Sequence, residues 1–108
     1  MKKGLFITFE GADGSGKTTQ LNKVKSFLEQ NGYNTIVTRE PGALKLGQKI
    51  REILLHSEEK VSDKCEMFLF LADRAQHVET LIKPSIEQGK IVLCDRYTDS
   101  TVAYQGYA

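Results

Sequence analysis

An α/β fold, with a parallel sheet flanked by helices, is predicted by three observations. Apolar runs at 5–10, 35–38 and 91–95 are short, and Ile91-Val92-Leu93-Cys94 is unbroken, as in a strand covered on both faces. Between the runs, apolar residues recur at three- and four-residue spacing, the helical period. The first run also passes directly into a glycine-rich loop that opens a helical pattern. Right-handed crossovers between parallel strands follow from that arrangement.

The first strand is Leu5–Glu10. The start, Met-Lys-Lys-Gly-Leu-Phe, has the charge of a signal peptide, but its apolar stretch meets Glu10 after about five residues, too short for a secretory core. A helix begins near Lys17, with Leu21, Val24, Phe27 and Leu28 on one face, and Asn31-Gly32 stops it. Strand two spans Thr35–Thr38. Leu46, Ile50, Ile53 and Leu54 mark a second amphipathic helix, and Asp63 with Glu66 reads as the cap of a third. The run Met67-Phe68-Leu69-Phe70-Leu71-Ala72 is apolar all round, so the third helix is expected to be buried, partly against another subunit. Val78, Leu81, Ile82 and Ile86 carry the helical period past a kink expected at Pro84, and Gly89 ends it. Strand three is Ile91–Asp95.

The chain has 108 residues, enough for one core, with no internal repeat, linker or low-complexity tract. Lys plus Arg number 15 and Asp plus Glu 14, so a net charge of +1 provides no general attraction to nucleic acid or a membrane surface. Cys65 and Cys94 lie in apolar runs without CxxC or histidine spacing, which favours reduced structural thiols in a cytoplasmic protein over a disulfide or zinc site.

Gly11-Ala12-Asp13-Gly14-Ser15-Gly16-Lys17-Thr18 fits GxxxxGK[ST], the loop that wraps a nucleoside triphosphate, and implies a P-loop NTPase fold. Its glycines let backbone N–H groups and a helix N-terminus approach phosphate oxygens. Lys17 adds a mobile cation for the β- and γ-phosphates, and the Thr18 hydroxyl suits the Mg²⁺ that accompanies ATP. Asp95, ending an apolar strand, reads either as a second metal ligand or as a solvated or capping acid. Arg96 reads either as a bidentate phosphate clamp or as the partner of a nearby acid.

Four strings in this order resemble the amino-terminal half of the thymidylate kinase family: Phe-Glu-Gly-Ala-Asp-Gly-Ser-Gly-Lys-Thr-Thr at 9–19, Thr-Arg-Glu-Pro-Gly at 38–42, Leu-Ala-Asp-Arg-Ala-Gln-His at 71–77, and Asp-Arg-Tyr-Thr-Asp-Ser-Thr-Val-Ala-Tyr-Gln-Gly at 95–106. The resemblance implies a nucleoside monophosphate kinase-like fold and transfer of the ATP γ-phosphoryl group to dTMP, giving dTDP and ADP. Lys17, Arg39 and Arg96 would surround the transferred group, and Thr18 and Asp95 would hold Mg²⁺. Phe70, which composition alone assigns to the core, would stack on thymine, while Arg74, four residues on and so on the same face, would reach the base's carbonyl edge. Arg39 and Arg96 would hold the monophosphate, Asp13 the sugar 3′-hydroxyl, and Tyr104 would crowd the 2′ position; Ser100, Thr101 and Gln105 would lie beside the base. ATP and dTMP would be the partners, without nucleic acid or membrane, in a cytoplasmic homodimer.

The chain also departs from the family's pattern. Ala43-Leu44 follows Pro41-Gly42 where a second glycine is common, and Ala12, Asp13, Gly14 and Ser15 include no arginine. A lid later in the chain is then expected to supply that cation. Residues 1–108 are accordingly expected to be the amino-terminal part of a single kinase domain, truncated after the third strand, with lid and carboxyl-terminal strands absent and little activity alone. Strand one is expected to be central, with strand three beside it and strand two outside. The alternatives are a non-catalytic P-loop binding module and a related kinase acting on another nucleotide.

Overall fold

A computed structural model describes residues 3–11 and 16–97. The elements alternate as expected: β1 (Phe6–Gly11), α1 (Lys17–Gln30), β2 (Thr35–Glu40), α2 (Lys45–His56), α3 (Asp63–His77), a π-helical turn (Val78–Ile82), α4 (Lys83–Glu87) and β3 (Ile91–Tyr97). The described strands form a parallel sheet of order β1-β3-β2. β3 thus lies between the other two, with Phe9 opposite Asp95 and Arg39 opposite the same residue on the other side. All three strands run past their expected ends because the ladder continues through the polar residues, pairing Gly11 with Tyr97 and Glu40 with Arg96.

Alternation along β3 assigns its two faces. On one, Ile91 and Leu93 meet Leu21 of α1, flanked by Ile7, Phe9, Val24 and Leu28. On the other, Val92 and Cys94 are fully buried, and Cys94 is followed two residues on by Arg96. Phe27 departs from the expected helix face: it is 64% exposed, because Leu21, Val24 and Leu28 fill the seam against the sheet. On α2, Ile50 is buried, whereas Leu46 and Ile53, expected on the same covered stripe, are exposed.

The expectation of a buried third helix is corrected. α3 turns Asp73 and His77 inward, and leaves Cys65, Phe68, Leu71, Ala72 and Ala75 exposed along one outer face, with Phe68 at 62%. Its cap is also one residue earlier than expected. Ser62, in extended backbone, accepts from the Cys65 N–H with its hydroxyl, and its carbonyl takes the first helical bond from Glu66; Asp63 and Glu66 instead supply negative charge in the first turn. Before Pro84 the helix widens into the π turn, whose Lys83 N–H reaches Val78 O, accommodating a residue with no N–H of its own. No helix among the described residues is long and apolar enough to cross a membrane.

Candidate functional site

The carboxyl ends of β1, β2 and β3 carry the polar residues singled out in the sequence, as expected where a parallel sheet meets a ligand. Gly11 is the last residue of the β1 ladder, and Gly16 adopts φ 83°, starting α1 from a left-handed residue that a side chain would disfavour. Gly16 at the start of α1 has no side chain to cap the helix, and the first turn carries no acid, so among the described residues no side chain occupies the first N–H groups. Lys17 is 6% exposed. Its ammonium donates to Gly11 O at 2.7 Å and Arg96 O at 3.3 Å, and lies 2.7 Å from Asp95 Oδ1. The loop lysine and the strand-end acid are therefore brought together, although 78 positions separate them in sequence (95 − 17). Thr18 is exposed beside them on the first turn of α1. A threonine hydroxyl and a partly exposed carboxylate are hard oxygen donors of the kind magnesium takes, so the pair fits that ion chemically.

One residue further, Arg96 leaves the opposite face of β3 and enters a second cluster. Its Nη1 donates to Glu10 Oε1 at 3.1 Å, and its Nε lies 3.3 Å from Glu40 Oε1. Of the two readings of Arg96, the structure shows the ion pair with nearby acids. Glu40, 5% exposed, is the centre of this cluster. Arg74 donates to its Oε1 through Nε and Nη2, both at 3.2 Å, and His77 Nδ1 approaches Oε2 at 2.7 Å. Burial pushes the Glu40 carboxyl up, but the His77 hydrogen bond and the Arg74 and Arg96 charges outweigh it and hold the group below its ordinary range.

Asp73 secures the turn that follows β2. Its Oδ1 accepts from Gly42 N at 3.1 Å, and Gly47 of α2 is packed so closely against that oxygen that a Cβ there would collide with it. The Glu40–Pro41 bond is cis, and Gly42 takes φ 100° under the Arg51 side chain. Burial, with the charge of Glu40, raises the Asp73 carboxyl above its ordinary range despite the Gly42 bond. Ala43, the departure from the expected second glycine, has no positive φ, so alanine is compatible with the backbone it occupies.

The structure separates Arg39 from Arg96. The two occupy non-equivalent rungs of the ladder, where Arg39 pairs with Asp95 and Arg96 with Glu40, so their side chains leave opposite faces. Arg39 is exposed and donates through Nε to Gly42 O at 3.2 Å. Phe70 is half-buried one helical turn before Arg74. Ala12, Asp13, Gly14, Ser15, Ser100, Thr101, Tyr104 and Gln105 lie outside the described residues.

Sequence reasoning missed Glu40, Arg51, Asp73 and His77. Arg51 donates through Nη1 to Pro41 O at 3.3 Å, adding a cation beside the β2 turn. Asp73 and His77, four positions apart, share one helical face, a spacing present in the sequence, whereas nothing around Glu40 in the sequence marked it out. Glu40, His77 and Cys94 also lie close enough to suggest a metal centre. Their chemistry speaks against it: two guanidinium groups already match the Glu40 charge, both His77 ring nitrogens are engaged, and burial pushes the Cys94 thiol up to about 12.

Comparison with known proteins bears on the whole of this arrangement. The family model described as Thymidylate kinase matches residues 9–108. A thymidylate kinase of Maridesulfovibrio salexigens is 54% identical over 104 residues, covering 95% of this chain and 48% of its own. One of Protochlamydia amoebophila is 55% identical over 108 residues, covering 98% of this chain and 48% of its own. The chain therefore spans about half the length of the curated relatives it matches. The crystal structure of thymidylate kinase from Ehrlichia chaffeensis superposes with a TM-score of 0.79 at 45% identity, over 97% of this chain and 60% of that one.

Proposed function

This chain belongs to the thymidylate kinase family, and on that premise we propose that the protein phosphorylates dTMP to dTDP with ATP as donor. One observation carries the reading: consecutive residues of β3 serve two different clusters. Asp95 faces the phosphate-loop lysine, and Arg96 faces the Glu40–Arg74 cluster at the end of α3. A donor site and an acceptor site would then meet across a single strand end.

In this reading the triphosphate lies on the Gly11–Thr18 loop and the α1 N-terminus, with Lys17 exchanging Asp95 for phosphate oxygens. Magnesium entering with ATP would be held by Thr18 and Asp95 and would neutralise charge between the β- and γ-phosphates. The dTMP base lies on Phe70 with Arg74 at its edge, and Arg96 meets its phosphate from the end of β3; Arg39, which leaves the other face of the sheet, would join it only by giving up its bond to Gly42 O. Alignment and charge stabilisation account for the rate, and the dTMP phosphate is itself the nucleophile, so no general base is required.

Selective binding of dTMP over UMP and dCMP tests the acceptor assignment. Calorimetric titration is expected to show that selectivity, and Phe70→Ala and Arg74→Ala are each expected to weaken dTMP binding about 10-fold or more, the scale of a lost aromatic stack or charged hydrogen bond. Equal affinity for the three nucleotides would favour a kinase for another substrate.

The outer face of α3 supports a homodimer. Cys65, Phe68, Leu71, Ala72 and Ala75 form an exposed apolar stripe at helical spacing, of the kind that marks a protein interface. Phe68→Glu is expected to give a monomer in sedimentation; an unchanged dimer would place the interface elsewhere.

A further inference from the structure

We propose that His77 is a positioning residue for the acceptor site, holding Glu40 in the orientation that presents Arg74 and Arg96; the proposal rests on the dTMP kinase reading above. His77 is 1% exposed and touches neither nucleotide in that reading. A buried imidazole is costly unless both nitrogens are satisfied, and here both are. Nδ1 is 2.7 Å from Glu40 Oε2 and Nε2 is 2.6 Å from Thr38 Oγ1. An ionised carboxylate can only accept, so Nδ1 carries the proton and donates to Glu40. In the neutral ring Nε2 then accepts from the Thr38 hydroxyl, which fixes the ring from both sides.

The two Glu40 oxygens divide their work as a result. Oε2 is taken by His77, which leaves Oε1 to both guanidinium groups: Arg74 at 3.2 Å through two nitrogens and Arg96 at 3.3 Å. The terminal torsion of a glutamate is broad and two-fold, so a carboxylate held at one oxygen only by exposed-side arginines could rotate. Arg74 retains 40% side-chain exposure, whereas His77 and Glu40 are almost fully covered. The rigid end of the network is therefore Thr38–His77–Glu40, and the two arginines are the end that a ligand can reach.

The test compares His77→Leu with His77→Asn in the intact protein. Asparagine can place its amide N–H near the position of Nδ1 and donate to Oε2, whereas leucine cannot. His77→Leu is expected to raise the KM for dTMP about 10-fold while leaving the KM for ATP within about twofold, and His77→Asn to recover most of the loss. An unchanged dTMP KM in His77→Leu, equal loss for both substrates, or no recovery in His77→Asn would overturn the proposal. Should His77→Leu fail to fold, Thr38→Val, which replaces the hydroxyl with a methyl group, is expected to give a smaller rise in the same direction, and no rise would overturn it. NMR of the arginine Nε–H groups separates this proposal from the functional reading. If wild-type protein does not bind dTMP, the functional reading fails, while displaced Arg74 and Arg96 signals in His77→Leu or Thr38→Val would still support the positioning role and unmoved signals would refute it.

Discussion

Lys17→Ala is expected to abolish phosphotransfer, with turnover falling by about 10³-fold or more, because it removes a pre-placed cation from the transferred group. The side chain is well suited to that loss: it is buried, it bridges Gly11 and Arg96 carbonyls, and it is paired with Asp95. None of these contacts involves Arg74 or Phe70, so dTMP affinity is expected to stay within about twofold of wild type, a change of less than 0.5 kcal/mol. Paired measurements of turnover and dTMP titration check both halves of the statement. An active Lys17→Ala protein would show that the phosphate loop is not the donor site. Loss of dTMP binding along with turnover would show instead that Lys17 supports the fold.

Glu40→Ala carries the second large effect, on stability as well as on binding. Removing this carboxylate leaves the Arg74 and Arg96 guanidinium groups without their shared oxygen and strands the buried His77 donor. Breaking a buried ionic network at one partner costs about 3–5 kcal/mol, enough to unfold a marginal domain. Glu40→Gln keeps the shape and one accepting oxygen, so it is expected to fold with a smaller loss and a weakened grip on dTMP. The pH dependence adds an independent check. Because the Glu40 carboxyl is held below its ordinary value of 4.5, its ionic contribution is complete above that value and is lost as pH falls through the lowered one. Asp73, raised by burial, works in the opposite sense, favouring the fold as it takes up a proton. Melting temperature measured across the acid range is expected to fall less steeply in Glu40→Gln than in wild type; parallel curves would mean that Glu40 does not titrate with folding.

Much of the architecture was legible because periodicity and punctuation agreed. Asn31-Gly32 closed α1, with Gly32 at φ 86°, and the unbroken Ile91–Cys94 run became the covered middle strand of the described sheet. The failures share a physical origin, since helical spacing identifies an apolar face without saying what fills the space beside it. Phe27 and Phe68 have the right spacing and are exposed, one because Leu21, Val24 and Leu28 complete the seam, the other because α3 turns Asp73 and His77 toward the sheet instead. Site residues followed the same division. Lys17 and Asp95 announced themselves by motif and strand end, and the fold joined them. Glu40 did not, because a buried charge is recognisable only from its partners, and those come from α3 and β3, more than thirty positions away in every case.

Product analysis with dTMP, dCMP and UMP as competing acceptors tests the account most directly. With Mg·ATP and the intact protein, dTDP and ADP are expected to accumulate in equal amounts while dCMP and UMP persist. ATP consumed without any nucleoside diphosphate product, or dCDP and UDP formed as readily as dTDP, would contradict the assignment of the Phe70–Arg74–Arg96 cluster as a thymidylate site.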